Sequence, residues 1–312
     1  MQEIQRRKAY LQHFLQAFSY PQDAIADFLS VYDDVCNNPT ACEALFRLIG
    51  VYEKEMRCDF LPLAQEVEKL SQETGVCLFS LQAVFYMLLT EKMQAYYAER
   101  GVSERIWHDT VLDLRVKCIE CKKVKGVWGI FAIRWFFNLF RGNIFRLGRL
   151  EFCLRSFGAE YQKDGLILHP DTLVIDTHIP SGEPLVYQEV LQSYKQAMAF
   201  FKQYYGVEPP AFWCKSWLLS PVHKSALKES SNIKKFADDF DVYDCLDHDG
   251  YAEIFMRVFE KEYTADFDLR ALPCDTTLQK FYVEYMQQGK ITSSGKGVLD
   301  CRKVLKKLSE SK

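Results

Sequence analysis

Over roughly the first 122 residues, apolar side chains recur every three to four positions between short polar breaks, and this spacing predicts helices throughout. The first covers 4–18, with Ala9, Tyr10, His13, Phe14, Ala17 and Phe18 on one face. Pro21 opens a second helix to about 35. Asn38-Pro39 opens a third, with asparagine as cap and proline in the first turn, carrying Leu45, Leu48 and Ile49. A fourth covers 63–74 and stops at Gly75. Ser80 is expected to cap a fifth, running to 97 before Gly101, and Ser103 a sixth, reaching about 125. Amphipathic stripes with short connections predict a helical bundle.

The period changes near Gly126. An aromatic run over 127–140 predicts one more helix, and 144–157 alternates as a strand. Glu151 and Cys153 fall on one strand face with Phe145, Leu147 and Arg149. A short strand follows at 165–169. The stretch 173–219 then predicts a strand (LVIDTHI), a Pro-Ser-Gly-Glu-Pro turn, a long amphipathic helix ended by Gly206, and a second strand at 212–219. Pro184 suits the first turn of that helix. Such a unit is a right-handed crossover between parallel strands. Beyond Pro221 come a short helix, then Ser230-Ser231-Asn232 capping a helix over 233–240. Two extended runs, 241–248 and 251–260, flank Asp249-Gly250 and predict a hairpin. A last helix covers 278–287, 289–297 is expected as a polar loop, and the basic end 302–312 as a fraying tail. The fold class is α/β (α+β): an all-α domain over 1–122, a mixed sheet with flanking helices over 123–300, and a tail over 301–312.

Composition narrows the function classes. The chain has 312 residues, 48% hydrophobic and 26% charged, with a net charge of −3. That balance is globular and argues against nucleic acid as the main partner. The 14% aromatic share predicts bulky cores or a deep apolar pocket. The longest apolar run contains Arg134 and is too short to cross a membrane. The eleven cysteines are irregularly spaced and the first residues lack a signal-peptide pattern, so reduced thiols and a cytoplasmic location are expected. Cys118-x-x-Cys121 has no second ligand pair, and no metal site is expected in the chain. His13 and His108 are expected as helix-surface or core histidines.

The order of elements, together with the phrases FRLGRLEF, THIPSGEPL, WCKSWLLSP and SNIKKF, resembles a bacterial two-part acyltransferase group. That group joins a helical N-acyltransferase N-terminal domain to a GNAT-like C-terminal domain, and the resemblance spans nearly the whole chain. It implies acyl transfer from coenzyme A to an amine acceptor, with acyl-CoA as co-substrate. It implies that 173–179 is the central strand and that 212–219 splays from it to admit the pantetheine arm. Ser181 and Gly182 would cradle the pyrophosphate, and Asn232 would meet the cofactor. The phosphate loop departs from the usual pattern: one glycine remains, Glu183 brings a negative charge, and Pro184 removes an amide donor. A non-catalytic GNAT-fold binding or sensing module is the alternative.

Acyl transfer to an amine needs a base for the amine proton and an acid for the leaving thiolate. Val174, Asp176 and His178 share a strand face, and His178 at the strand end is the first candidate base. Glu151 is its rival, with pairing to Arg149 or Arg146 as the structural reading. Tyr243 is the candidate acid. A Cys214–His178–Asp176 relay is conceivable but lacks a nucleophile elbow, and core packing is the expected role of Cys214. Trp213 and Trp217 fall opposite Cys214; packing is their plain role, and a wall of an acceptor pocket their functional one. The loop GKITSSGKG fails as a phosphate loop of the Walker type, because its glycine spacing is too long and no Ser/Thr follows Lys296.

Overall fold

The computed structural model describes residues 1–248, 251–264 and 266–310. It divides into two compact units, Met1–Phe145 and Arg146–Lys312.

The first unit is helical: α1 (Gln2–Ala17), α2 (Gln22–Cys36), α3 (Pro39–Lys54), α4 (Phe60–Thr74), α5 (Leu78–Glu99), α6 (Glu104–Val111), α7 (Asp113–Lys125) and α8 (Ile133–Phe140). The Asn38 side chain accepts from the Thr40 and Ala41 amides, so the predicted cap of α3 forms. Gly75 ends α4 at φ 73, a left-handed turn that glycine makes without strain. Helix α5 is apolar on every side (Leu81, Val84, Phe85, Met87, Leu88) and forms the axis around which the others pack. Ser80 lies inside α5 and does not cap it; its hydroxyl donates to the Trp128 carbonyl at 2.7 Å. The expected helix over 127–140 shortens to α8. Gly129 meets α5 so closely that a Cβ would stand 2.4 Å from the Phe79 carbonyl carbon, and the Ile130 amide donates to Phe79 O, which pins 127–132 in an irregular path. The predicted helix after Ser103 breaks at Leu112 into α6 and α7.

The second unit contains β1 (Phe145–Leu147, across the unit boundary), β2 (Leu150–Ser156), β3 (Tyr161–Lys163), β4 (Leu166–Leu168), β5 (Leu173–His178), α9 (Tyr187–Tyr205), β6 (Ala211–Ser216), α10 (Pro221–Lys224), α11 (Asn232–Asp239), β7 (Asp241–Asp247), α12 (Ala252–Val258), α13 (Thr277–Gln287), β8 (Ser293–Asp300) and α14 (Cys301–Glu310). Among the described residues, six strands make one sheet in the order β1-β2-β5-β6-β8-β7, and β3-β4 make a separate hairpin. The β5-α9-β6 crossover forms as predicted, with β5 and β6 parallel. Helix α9 covers one sheet face, where Tyr194 packs on Phe212 and Phe152.

Four sequence expectations change here. The run 251–260 is not a strand: Ile254 and Phe255 of α12, with Phe259 beyond it, sit at helical spacing and bury against Tyr282, Val283 and Met286 of α13. The Asp249-Gly250 turn lies outside the described residues. The expected polar loop 289–297 largely becomes β8, the antiparallel partner of both β6 and β7. Its small residues are there for close approach. A Cβ on Gly295 would stand 2.5 Å from the Leu219 carbonyl oxygen, and one on Gly297 would stand 2.8 Å from Phe240 Cβ. The predicted strand 212–219 ends at Ser216 and turns through a single 3-10 turn, Trp217–Leu219. The expected fraying tail is α14, which packs on α9 with Val304 buried and Lys307 paired to Asp239 and Tyr187.

Candidate functional site

The site is built from two neighbouring strands and a loop. Strands β2 and β5 pair antiparallel with Cys153 opposite Asp176 and Glu151 opposite His178. Cross-strand partners share a face, so these four side chains project from one side of the sheet, away from α9. Trp213, opposite Asp176 on β6, joins that face.

The pairing of β5 with β6 covers Ile175–Phe212 and Asp176–Trp213. Beyond it β5 continues through Thr177 and His178, and β6 continues to Ser216, held there by β8. The two parallel strands therefore separate where His178 stands. That separation leaves facing backbone edges, which an extended chain bearing amides can bond.

Around this opening the polar groups form a chain. His178 Nε2 lies 3.7 Å from Cys153 Sγ and 3.7 Å from Asp176 Oδ1. The other Asp176 oxygen lies 3.7 Å from the Arg155 guanidinium. Arg155 stacks over the Trp213 ring at 4.0 Å, and the Trp213 indole N–H donates to the Tyr243 hydroxyl at 2.9 Å. Burial pushes the Asp176 carboxyl up to about 7 against the pull of Arg155. Burial, and then the positive charge of Arg155, pushes the His178 imidazole down to about 4. The Cys153 thiol is held well above its ordinary range by burial and then by Asp176.

The loop after β5 has its own support. Gly182 adopts φ +91, open to glycine and strained for other residues. Arg146 of β1 and Arg149 of the β1-β2 turn are both buried. Arg146 Nη2 holds the Glu183 carboxylate at 2.7 Å. Arg149 donates to the Glu183 and Pro184 carbonyls at 2.6 and 3.0 Å. The turn sits against α9 because Gly148, at φ +77, leaves room for Ser193, whose hydroxyl accepts from the Arg149 amide. With the Pro184 carbonyl on Arg149, the Leu185 N–H, trans across the same peptide, points the other way. Helix α9 begins at Tyr187, three residues past Pro184. The proline is therefore outside the helix, and the first-turn amides of α9 keep their donors.

Two family models divide the chain: an N-acyltransferase N-terminal domain matches residues 9–142, and a GNAT-like C-terminal domain matches residues 144–299. The chain belongs to this two-domain GNAT-like family. A comparison with curated protein sequences gives no match. Solved structures with the same fold include an acyltransferase in complex with decanoyl-CoA and teicoplanin, at TM-score 0.72 and 21% identity. A mutant acyltransferase in complex with octanoyl-CoA gives TM-score 0.74 and 22% identity. In both cases the match covers 92% of this chain and 86% of the other.

Within the GNAT-like domain, the structure brings some of the residues expected from sequence together and leaves others apart. His178 and Glu151 come together as cross-strand partners, and Glu151 is fully buried. Arg146 and Arg149 reach the loop backbone and Glu183, and the Glu151 charge acts on Arg149. Ser181 and Gly182 lie in the loop between β5 and α9, while Asn232 is exposed in the first turn of α11, capped by Ser231. Tyr243 lies on β7, three strands and about 14 Å of sheet from β5. The Cys214 relay does not form: Cys214 is fully buried on the α9 side, opposite the face of Asp176 and His178. Trp217 sits in the turn after β6 and packs on His223. Sequence reasoning missed Arg155 and the approach of Cys153 to His178. The register 153–176 carries both, and it becomes visible only once β2 and β5 are known to be neighbours.

Proposed function

We propose that this chain transfers an acyl group from an acyl-CoA to an amine. The observation that carries the reading is the separation of β5 from β6 at Asp176 and Trp213, with His178 at its edge. The fold-sharing acyltransferases in complex with octanoyl-CoA and decanoyl-CoA support it.

Ser181 and Gly182, with the first-turn amides of α9, would meet the pyrophosphate, where backbone donors and the helix dipole favour an anion. The Glu183 charge beside them is neutralised by Arg146. The pantetheine arm would lie between the edges of β5 and β6 and bring the thioester carbon to His178. Neutral His178 takes the proton as the amine nitrogen attacks; the C–N bond forms, the C–S bond breaks, and the leaving thiolate takes that proton from the His178 imidazolium. Glu151, buried opposite His178, is the rival base. Tyr243 acts through Trp213 and Arg155, fixing the Asp176 carboxylate, and Asn232 is proposed as an outer contact of the cofactor.

The test is thiol release from acyl-CoAs of two to ten carbons against a panel of amines, beside thermal melting with the same thioesters. The reading predicts stabilisation by acyl-CoA and amine-dependent thiol release. Stabilisation without release, for every amine tried, would favour a binding module; absence of both stabilisation and release would contradict acyl-CoA as substrate.

A further inference from the structure

Cys153 and Asp176 both converge on one atom, His178 Nε2. A nucleophilic relay distributes its partners over the two ring nitrogens, one taking the thiol proton and the other held by the carboxylate. One nitrogen has one lone pair or one hydrogen and cannot serve two partners at once. Convergence on a shared point is instead what a coordinated cation produces. An ion about 2.0–2.3 Å from sulfur, nitrogen and oxygen donors in tetrahedral array holds them about 3.3–3.6 Å apart. The 3.7 Å separations here approach those edges, and all three donor atoms lie within 4.8 Å of one another.

Two further observations point to a ligand. Asp176 is only 8% exposed, and its Oδ1, the oxygen aimed at His178, has no hydrogen-bond partner among the described residues. A buried acceptor without a donor is uncommon in native proteins and marks the place of something bound. Arg155 meanwhile takes the other carboxylate oxygen and is itself stacked on Trp213, which turns Oδ1 toward the imidazole. The three donors also stand on two paired strands, a frame more rigid than a loop. Thiolate, imidazole and carboxylate together are the donors that zinc selects, and three protein ligands leave a fourth position open.

We propose that Cys153, Asp176 and His178 bind one divalent transition-metal ion of the zinc type, and that the ion switches acyl transfer off by occupying the His178 Nε2 lone pair. The switching half rests on His178 being the base; the metal site does not. Binding releases the Cys153 thiol proton to solvent and forms the sulfur–metal bond.

The experiment titrates metal-free protein with Co2+ and follows absorption. One equivalent should produce a thiolate-to-cobalt charge-transfer band with intense four-coordinate visible bands, and Zn2+ should abolish both. Cys153→Ser should remove the charge-transfer band with an unchanged circular dichroism spectrum, and Asp176→Asn should weaken binding about tenfold or more. A band that persists in Cys153→Ser, or no band in the folded wild type, overturns the site. The acyl-transfer assay in chelator and then in Zn2+ reads the second half. Reversible loss of turnover supports the switch, and full turnover with the metal bound overturns it. Absence of turnover in chelator while Co2+ still binds through Cys153 overturns the acyl-transfer reading and leaves the metal site standing.

Discussion

Arg146, buried on β1, holds the Glu183 carboxylate at 2.7 Å. This pair disposes of the main objection to a phosphate site in the loop, a negative charge beside the proposed pyrophosphate. Removing Arg146 frees that charge. Arg146→Met is expected to weaken acyl-CoA binding by about tenfold, the scale of one charge-assisted contact. Glu183→Gln added to it should recover most of the loss, because the repulsion then goes too. Isothermal titration on the single and double variants measures the coupling; equal losses in both would show that Glu183 does not face the ligand.

His178→Gln tests the base. Turnover should fall by about 100-fold or more while acyl-CoA affinity changes by less than about threefold, since proton transfer contributes on that scale and ground-state binding does not. Steady-state kinetics with a direct binding measurement separates the two. Glu151→Gln with the larger loss would transfer the role to Glu151.

Two glycines should respond in opposite directions. Gly295→Ala places a Cβ 2.5 Å from the Leu219 carbonyl oxygen, a backbone atom that cannot step aside, and is expected to destabilise the protein by about 1–3 kcal/mol. Gly50, inside α3, meets nothing within 4 Å. Gly50→Ala should stabilise by about 0.5–1 kcal/mol through helix propensity. Chemical denaturation of the two variants provides the comparison.

His223 gives the chain a titration with a definite sign. It is fully buried, its Nδ1 lies 2.7 Å from the Tyr282 hydroxyl, and burial holds it down to about 4 from an ordinary 6.5. Between those values the unfolded chain binds the proton that the folded chain refuses. The contribution is therefore intact above pH 6.5 and is lost as pH falls toward 4, on the order of 3 kcal/mol in all. Unfolding free energies across that window should slope upward with pH, and His223→Gln should flatten the slope by up to one proton. An unchanged slope in the variant would assign the effect elsewhere.

The elements legible in the sequence were those whose signals are local. Asn38-Pro39 and Gly75 bound their helices as expected, and β5-α9-β6 announced itself through Gly206 and the apolar stripe of α9. Strand β8 was hidden because its glycines exist for contacts with Leu219 and Phe240, which lie far away in sequence. The run after Gly250 looked extended because aromatic and β-branched residues suit both periods; packing on α13 selected the helix. At the site, His178 and Glu151 were legible as strand-face residues, whereas Arg155 and Cys153 depend on register between strands that 16 residues separate. Tyr243 stood out only as one tyrosine among many, and its bond to Trp213 is a tertiary fact.

Acyl-CoA is expected to enter between β5 and β6. Amide hydrogen exchange with and without octanoyl-CoA measures this directly. Residues 177–182 and 213–216 should gain protection on binding, with 187–189 following as the phosphate settles. Unchanged exchange at 177–182 and 213–216, with protection arising elsewhere or nowhere, would contradict it.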